Sequence, residues 1–235
     1  VTPQSGGSSS ADSGDPYPQR GNPQRPITIA IETKFFIIGE GVDEQGLFSA
    51  ITRIFEYSSA FQVAAIGGKT RLKSNLSGLV KQPGSDQLEA IAILRDADDD
   101  ARAAFDSVRN VVAASGLVPP LRHGEFSTST PRVGIFILPD GARPGMLEDL
   151  CIDSVRTKPG FPCVQYFLEC VRREGLVPKN RTKAEAHAWL AAQEPTGRRV
   201  GEAAGATGGW DLSHPAFEPL ISFLRRMAEE HPAAT

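Results

Sequence analysis

Cysteine is scarce: the chain has three, Cys151, Cys163 and Cys170. The number is odd and no C-x-x-C interval occurs, which argues against a disulfide framework or a zinc knuckle. The three are read as reduced thiols of a cytoplasmic protein. No apolar run approaches the roughly 20 residues needed to span a bilayer, and the first residues lack the basic-then-apolar order of a signal peptide. No membrane association is therefore expected. Basic residues are not in surplus either. Lys and Arg number 25 against 28 Asp and Glu, for a formal net charge of −3. That balance argues against a globally basic binder held to nucleic acid mainly by phosphate neutralisation, and leaves a local basic groove open.

Several familiar site motifs are also missing. Gly67-Gly68-Lys69-Thr70 ends like a P-loop, but a Walker A needs glycine five positions before Gly68, where Val63 stands. Gly39 and Gly41 begin a G-x-G-x-x-G that fails at Glu44. His123, His187, His214 and His231 have no metal-ligand spacing, and there is no H-E-x-x-H and no G-x-S-x-G. Lys69, Arg71 and Lys73 could meet phosphate, or could simply form a solvated basic turn. Trp210 closes a glycine-rich stretch, either to stack on a base or to anchor the loop to the core.

What the chain does contain is alternation of strand and helix. At 235 residues it has room for one main domain with additions. Residues 1–25 are Gly, Ser, Pro, Gln and Asp with almost no apolar side chains, and are expected to be a disordered leader. Residues 26–156 are expected to form an α/β domain. Its strands are predicted at Ile27–Ile31, Phe35–Ile38, Phe61–Ile66, Ala90–Leu94 and Val133–Leu138, the last stopped by Pro139. Ala90–Leu94 is apolar on both faces and reads as a central parallel strand. A helix after Asp43, its plausible cap, carries Leu47, Phe48, Ile51, Ile54 and Phe55. A second runs from about Asp99 to Ser115 and ends at Gly116. A third opens at Gly145-Met146 with Glu148 and Asp149 in its first turn. Residues 157–235 are read as a helical C-terminal extension, with Val164, Phe167, Leu168 and Val171 on one stripe. The fold class is thus α/β, a mostly parallel sheet flanked by helices.

Acidic residues follow these strands in order: Glu40 after the second predicted strand, Asp96 and Asp98 after the fourth, Glu148 after the fifth. In open α/β sheets ligands bind outside the carboxyl ends of the strands, so these residues point to one crevice. Clustered carboxylates repel one another unless a cation neutralises them, and oxygen ligands suit Mg2+ or Mn2+. Taken alone, the Asp96-Ala97-Asp98 pair has a second reading as a helix cap provided by Asp98 or Asp99.

The ordered set resembles the Toprim superfamily. It comprises Gly39-Glu40-Gly41-Val42-Asp43-Glu44, Asp96-Ala97-Asp98 and Gly145-Met146-Leu147-Glu148-Asp149-Leu150, each after an apolar strand. More narrowly, the chain is similar to DUF3226 proteins and their DUF4435 relatives, on the branch that includes OLD-type nucleases. The resemblance covers roughly residues 31–154, and the tail from Gly201 to Leu224, with Trp210 and Pro215, resembles DUF3226 as well. It implies a Toprim-like sheet in which Glu40, Asp96 and Asp98 form the acidic centre, with Glu148 added in the narrower branch. It further implies Mg2+- or Mn2+-dependent phosphodiester hydrolysis on DNA or RNA, with two metals about 4 Å apart. Lys158 is the nearest candidate for the late lysine of OLD-type nucleases, and is otherwise an ordinary surface residue. Two other functions fit the same resemblance: a non-catalytic module binding metal, nucleic acid or a partner protein, and a primase-like nucleotidyl transferase. The sequence sets no oligomeric state.

Overall fold

A computed structural model describes residues 30–205 and 209–229 of the chain. Four strands form one sheet: β1 (Phe35–Gly39), β2 (Phe61–Ala65), β3 (Ala90–Asp96) and β4 (Arg132–Leu138). Their order is β2-β1-β3-β4, and every pairing is parallel. All residues of β1 and β4 are buried, as uninterrupted apolar runs require in a sheet covered on both faces. Seven α-helices accompany the strands among the described residues: α1 (Val42–Thr52), α2 (Leu72–Leu79), α3 (Ala101–Ala114), α4 (Leu147–Val155), α5 (Phe161–Arg173), α6 (Arg181–Ala191) and α7 (Glu218–Glu229). None is long and apolar enough to cross a membrane.

The two-residue period of the strands divides the core. Phe36, Ile38, Ile91, Ile93, Val133, Ile135 and Ile137 face α2 and α3, joining Leu72, Leu76, Val108 and Val112. Phe35, Ile37, Ala90, Ala92, Leu94, Phe136 and Leu138 face the other way, into a larger cluster built with α1, α4 to α7 and the C-terminal loops. Ala90 and Ala92 are small, and α7 packs directly over β3 and β4 on this face. Phe217, Phe223 and Met227 are fully buried there, and each such side chain contributes about 1.5–3 kcal/mol by leaving water. Buried Arg132 on β4 donates to the Met227 carbonyl at 2.7 Å and fastens the last helix to the sheet. The helical C-terminal segment thus completes the core of one sheet face.

Several local expectations need correction. Asp43 is not the cap of α1; Gly41 occupies that position and Asp43 lies in the first turn, where its Oδ1 accepts the Gly201 amide at 3.0 Å. Asp100, rather than Asp98 or Asp99, caps α3 by accepting from the Ala103 amide. Phe167 leaves the buried stripe of α5 and is 53% exposed, because Phe161, Val164 and Leu168 take the inner face. The leader and most of the predicted strand at Ile27–Ile31 lie outside the described residues; Ala30 and Ile31 are described and belong to no strand.

Candidate functional site

The strand order places the crevice. The chain passes from β1 to β2 on one side and then returns to set β3 on the other, so the order reverses between β1 and β3. At such a switch point the two connections leave in opposite directions and open a gap at the carboxyl edge. Glu40 follows β1 directly and Asp96 ends β3. Register is consistent with their proximity: Ile38, two residues before Glu40, pairs with Ile93, three residues before Asp96.

The turn after β1 is tightly built. Glu44, in the first turn of α1, reaches back to accept the Gly41 amide at 2.9 Å, which fixes the loop carrying Glu40. The Cβ that Gly39 lacks would lie 2.7 Å from Glu44 Cβ, so the close approach of strand and helix depends on glycine here. After β2, the Gly68 amide donates to the Glu40 carbonyl at 2.9 Å, and the backbone folds over Glu40 toward Lys69.

After β3 the acidic run divides its duties. Asp96 Oδ1 accepts the Leu147 amide at 2.9 Å, at the amino end of α4. Asp98 adopts a left-handed conformation, φ 53°, and exchanges two backbone hydrogen bonds with Gly145 that tie this loop to the start of α4. Aspartate tolerates that conformation better than most residues, and such strain gathers at sites held in place by their surroundings. The Asp98 side chain points outward to Lys69 Nζ at 3.0 Å. Asp100 is the helix cap already described.

α4 brings the fourth acid. Asp149 accepts the Met146 amide at 2.8 Å and the Thr182 hydroxyl at 3.0 Å. This second bond pins the start of α6 against the start of α4, and so delivers Lys183 to Glu148 at 3.4 Å. Glu148 is 6% exposed.

Electrostatics unify the cluster. The Asp96 carboxyl is pushed up to about 8, first by burial, then by the negative charges of Glu44, Glu40 and Glu148, against the opposing Leu147 amide. Glu40 is also raised, chiefly by burial, although Arg95 opposes the shift. Glu44 is raised by burial as well, with Glu148 and Asp43 adding to it. Lys183 is held above the ordinary lysine value, chiefly by Glu148. Arg95 Nε lies 3.4 Å from Glu40 Oε1, yet both atoms are sealed from solvent and neither has a hydrogen-bond partner.

Glu40, Glu44 and Glu148 thus lie near enough to Asp96 to act on its carboxyl through their charge, while Asp98 pairs with Lys69 at the half-exposed rim. Three members were missed from sequence. Glu44 shares its motif with Glu40 but reads there only as the residue that breaks a glycine pattern. Arg95 reads as the polar end of a strand. Lys183 is remote in sequence and carries no local signal. Lys158, the sequence candidate for a late lysine, instead pairs with Asp211 at 3.1 Å. Of the three candidate phosphate contacts, Lys69 reaches the crevice, Arg71 folds back over Gly67 and Lys73 is exposed on α2. Beside Asp98 an open cleft of about 570 Å³ is lined by Lys69, Arg95, Asp99, Asp100, Met146 and Asn180 among others. Trp210 is buried and donates to the Val200 carbonyl at 2.6 Å, so it anchors its loop and offers no face to a base.

The donor set suits a hard divalent cation. It is all oxygen, it holds a buried carboxylate atom without a hydrogen-bond donor at Glu40, and the Asp96 carboxyl is driven toward its neutral form first by burial and then by the neighbouring carboxylates. Among the described residues, no three acidic, histidine or cysteine side chains are grouped closely enough to hold one ion as they stand. Three acids are instead drawn to basic partners: Glu40 to Arg95, Asp98 to Lys69 and Glu148 to Lys183.

Fold and site together define a parallel α/β protein with a carboxylate cluster at its topological switch point. The family described as "Protein of unknown function (DUF3226)" matches residues 34–229, and the chain belongs to it. Among solved structures, two of the C-terminal region of the Xanthomonas campestris pv. campestris OLD protein are similar. One, phased with mercury, has a TM-score of 0.41 at 16% identity and covers 85% of this chain and 98% of its own. The other, phased with platinum, has a TM-score of 0.42 at 17% identity and covers 85% and 96%. No curated protein matches the sequence.

Proposed function

We propose that the crevice holds Mg2+ or Mn2+ and that the protein is a metal-dependent phosphodiesterase acting on DNA or RNA. The observation that carries this reading is the convergence of Glu40, Glu44, Asp96 and Glu148 on the switch point of the sheet, with Glu40 Oε1 buried and without a donor. The ordered resemblance to Toprim proteins supports the chemistry. Glu40, Asp96 and Glu148 would hold the ion, with Asp98 at the rim as a further ligand. Such an ion supplies Lewis acidity toward a phosphoryl oxygen and makes water more acidic.

The chain's own residues provide the rest. Lys69 and Arg95 line the open cleft beside Asp98 and present positive charge to a phosphodiester entering there. Lys183, held protonated beside Glu148, can donate to an oxygen that gains charge as a phosphorus–oxygen bond breaks. Asp96 must give up its proton before it can act as a ligand, so ion uptake and deprotonation are one event.

One observation favours a second reading, a module that binds without cutting: three of the acids are already matched by basic side chains. Labelled single-stranded and duplex DNA and RNA, incubated with the protein and Mn2+ or Mg2+ beside an Asp96→Ala control, separate the two. Metal-dependent cutting that the control loses supports the enzyme. Retarded mobility without cutting supports the module and overturns the enzyme. A parallel thermal denaturation is expected to show a Mn2+-dependent rise in Tm that Asp96→Ala abolishes; an equal rise in the variant removes Asp96 from the ligand set.

A further inference from the structure

We infer that Arg95 is a resident counter-cation of the acidic crevice, which competes with the divalent ion for Glu40 and so sets the affinity of the site for metal. The inference rests on the metal-site reading above.

The three acid–base pairs are not equivalent. Asp98 and Lys69 are both about half exposed, with side-chain exposures of 46% and 54%. Such pairs are screened by water and cost little to separate, about 0–1 kcal/mol. Lys183 is 53% exposed and can swing into solvent from Glu148. Glu40 and Arg95 are only 20% and 14% exposed, so both charges have largely lost their water. A desolvated pair is well repaid only when its geometry also forms hydrogen bonds. This one does not: Glu40 Oε1 and Arg95 Nε lie 3.4 Å apart, both sealed from solvent, and neither is hydrogen-bonded. The pair is matched in charge and poor in geometry, and a divalent ion offers Glu40 a better partner.

Arg95 has somewhere else to go. Its Nη1 donates to Ser107 Oγ on α3 at 3.1 Å, so the guanidinium is anchored at a point independent of Glu40. The same side chain lines the open cleft beside Asp98. When an ion takes Glu40, the guanidinium is repelled by the new charge and can pivot on Ser107 toward the cleft. The β1–β3 register ends at Ile38 opposite Ile93, and the two chains continue from there to Glu40 and Arg95, so the pair sits where these neighbouring strands part. The same draw on Glu40 offers a physical reason why the acids are not already grouped for one ion.

The test is calorimetric titration of Mn2+ into the full chain at fixed pH, comparing wild type, Arg95→Gln, Arg95→Lys and Asp96→Ala. Glutamine loses the charge; lysine keeps it. The Arg95→Gln protein is expected to bind Mn2+ about tenfold more tightly than wild type, within the usual range for coupling between two sites, while Arg95→Lys stays close to wild type. In a Glu40→Gln background, where there is no carboxylate to compete for, adding Arg95→Gln is expected to have no effect. If the Arg95→Gln chain does not fold, Arg95→Met takes its place: tighter Mn2+ binding than wild type supports the competition and unchanged affinity overturns it. Unchanged affinity in Arg95→Gln, with binding lost in Asp96→Ala, overturns the competition and leaves the metal site standing. Absence of Mn2+ uptake in both wild type and Arg95→Gln overturns the metal site and this inference with it.

Discussion

Asp96 concentrates the electrostatic cost of the crevice. Its carboxyl has an ordinary value of 3.8 and is raised to about 8 in the folded chain, so between those limits the folded state keeps a proton that the unfolded state has lost. Stability contributed by this group therefore falls as pH rises through that interval, by at most about 1.4 kcal/mol per unit, and the penalty is complete above the folded-state value. Asp96→Asn, which mimics the neutral form, is expected to raise Tm by several degrees in metal-free buffer at about pH 8.5. The advantage should shrink steadily toward pH 5, and a difference that does not vary with pH in thermal melts would contradict this assignment. Metal affinity is expected to move the opposite way, rising with pH as the competing proton leaves. Trp210 makes a separate prediction. Trp210→Phe keeps most of the packing but strips the buried Val200 carbonyl of its donor, and urea unfolding is expected to show a loss of about 1–3 kcal/mol.

At the scale of elements, the acids are positioned by helix starts. α1 begins with Glu44 closing back on Gly41, and α4 begins with Asp149 closing back on Met146 while its Leu147 amide meets Asp96. Gly145 makes the second start possible. Its φ is 142°, and an added Cβ would lie 2.9 Å from Asp149 Oδ2 and 3.1 Å from Pro139 Cδ. Gly145→Ala is therefore expected to destabilise the protein by about 1–3 kcal/mol and to weaken Mn2+ binding, because Glu148 and the Leu147 amide shift with the helix. Gly175→Ala, also at positive φ but with no atom within 4 Å of the new Cβ, is the matched control. It is expected to cost about 1 kcal/mol and to leave Mn2+ affinity alone, as paired denaturation and titration can show.

At the scale of the whole molecule, one sheet face depends on residues from both ends of the described chain. Phe136 and Leu138 on β4 share a cluster with Phe217, Phe223 and Met227, and Gly201 packs against α1 so closely that its missing Cβ would fall 2.1 Å from the Asp43 carbonyl oxygen. A chain of residues 26–156 is thus expected to lack a cooperative thermal transition and to bind hydrophobic dyes, since the larger core cluster would be open to water. A sharp melt for that fragment in calorimetry would contradict the shared core. The same junction explains Lys183, which reaches Glu148 only because α6 is pinned to α4 through Thr182 and Asp149.

Local pattern was enough for much of this. The apolar runs at Phe35–Ile38, Ala90–Leu94 and Val133–Leu138 foretell buried parallel strands, because a strand covered on both faces cannot alternate, while Phe61–Ile66, interrupted by Gln62, becomes the partly buried edge strand. The rule that loops at the carboxyl edge carry ligands then singles out Glu40, Asp96, Asp98 and Glu148 without any contact being known, and does not tell that Asp98 turns outward to Lys69. Cap identity escaped the sequence, since Asp98, Asp99 and Asp100 are chemically alike and only backbone geometry selects Asp100. Arg95, Lys183 and the true partner of Lys158 escaped it for a different reason. Their roles are set by distances between segments remote in sequence, and charge acts through space. The sequence by itself determined the four strands of the sheet, most of the helices and the edge that carries the acids; only the tertiary structure decided α2, which no pattern announced, and which bases stand against the acids, because an ion pair is fixed by packing and leaves no period in the chain.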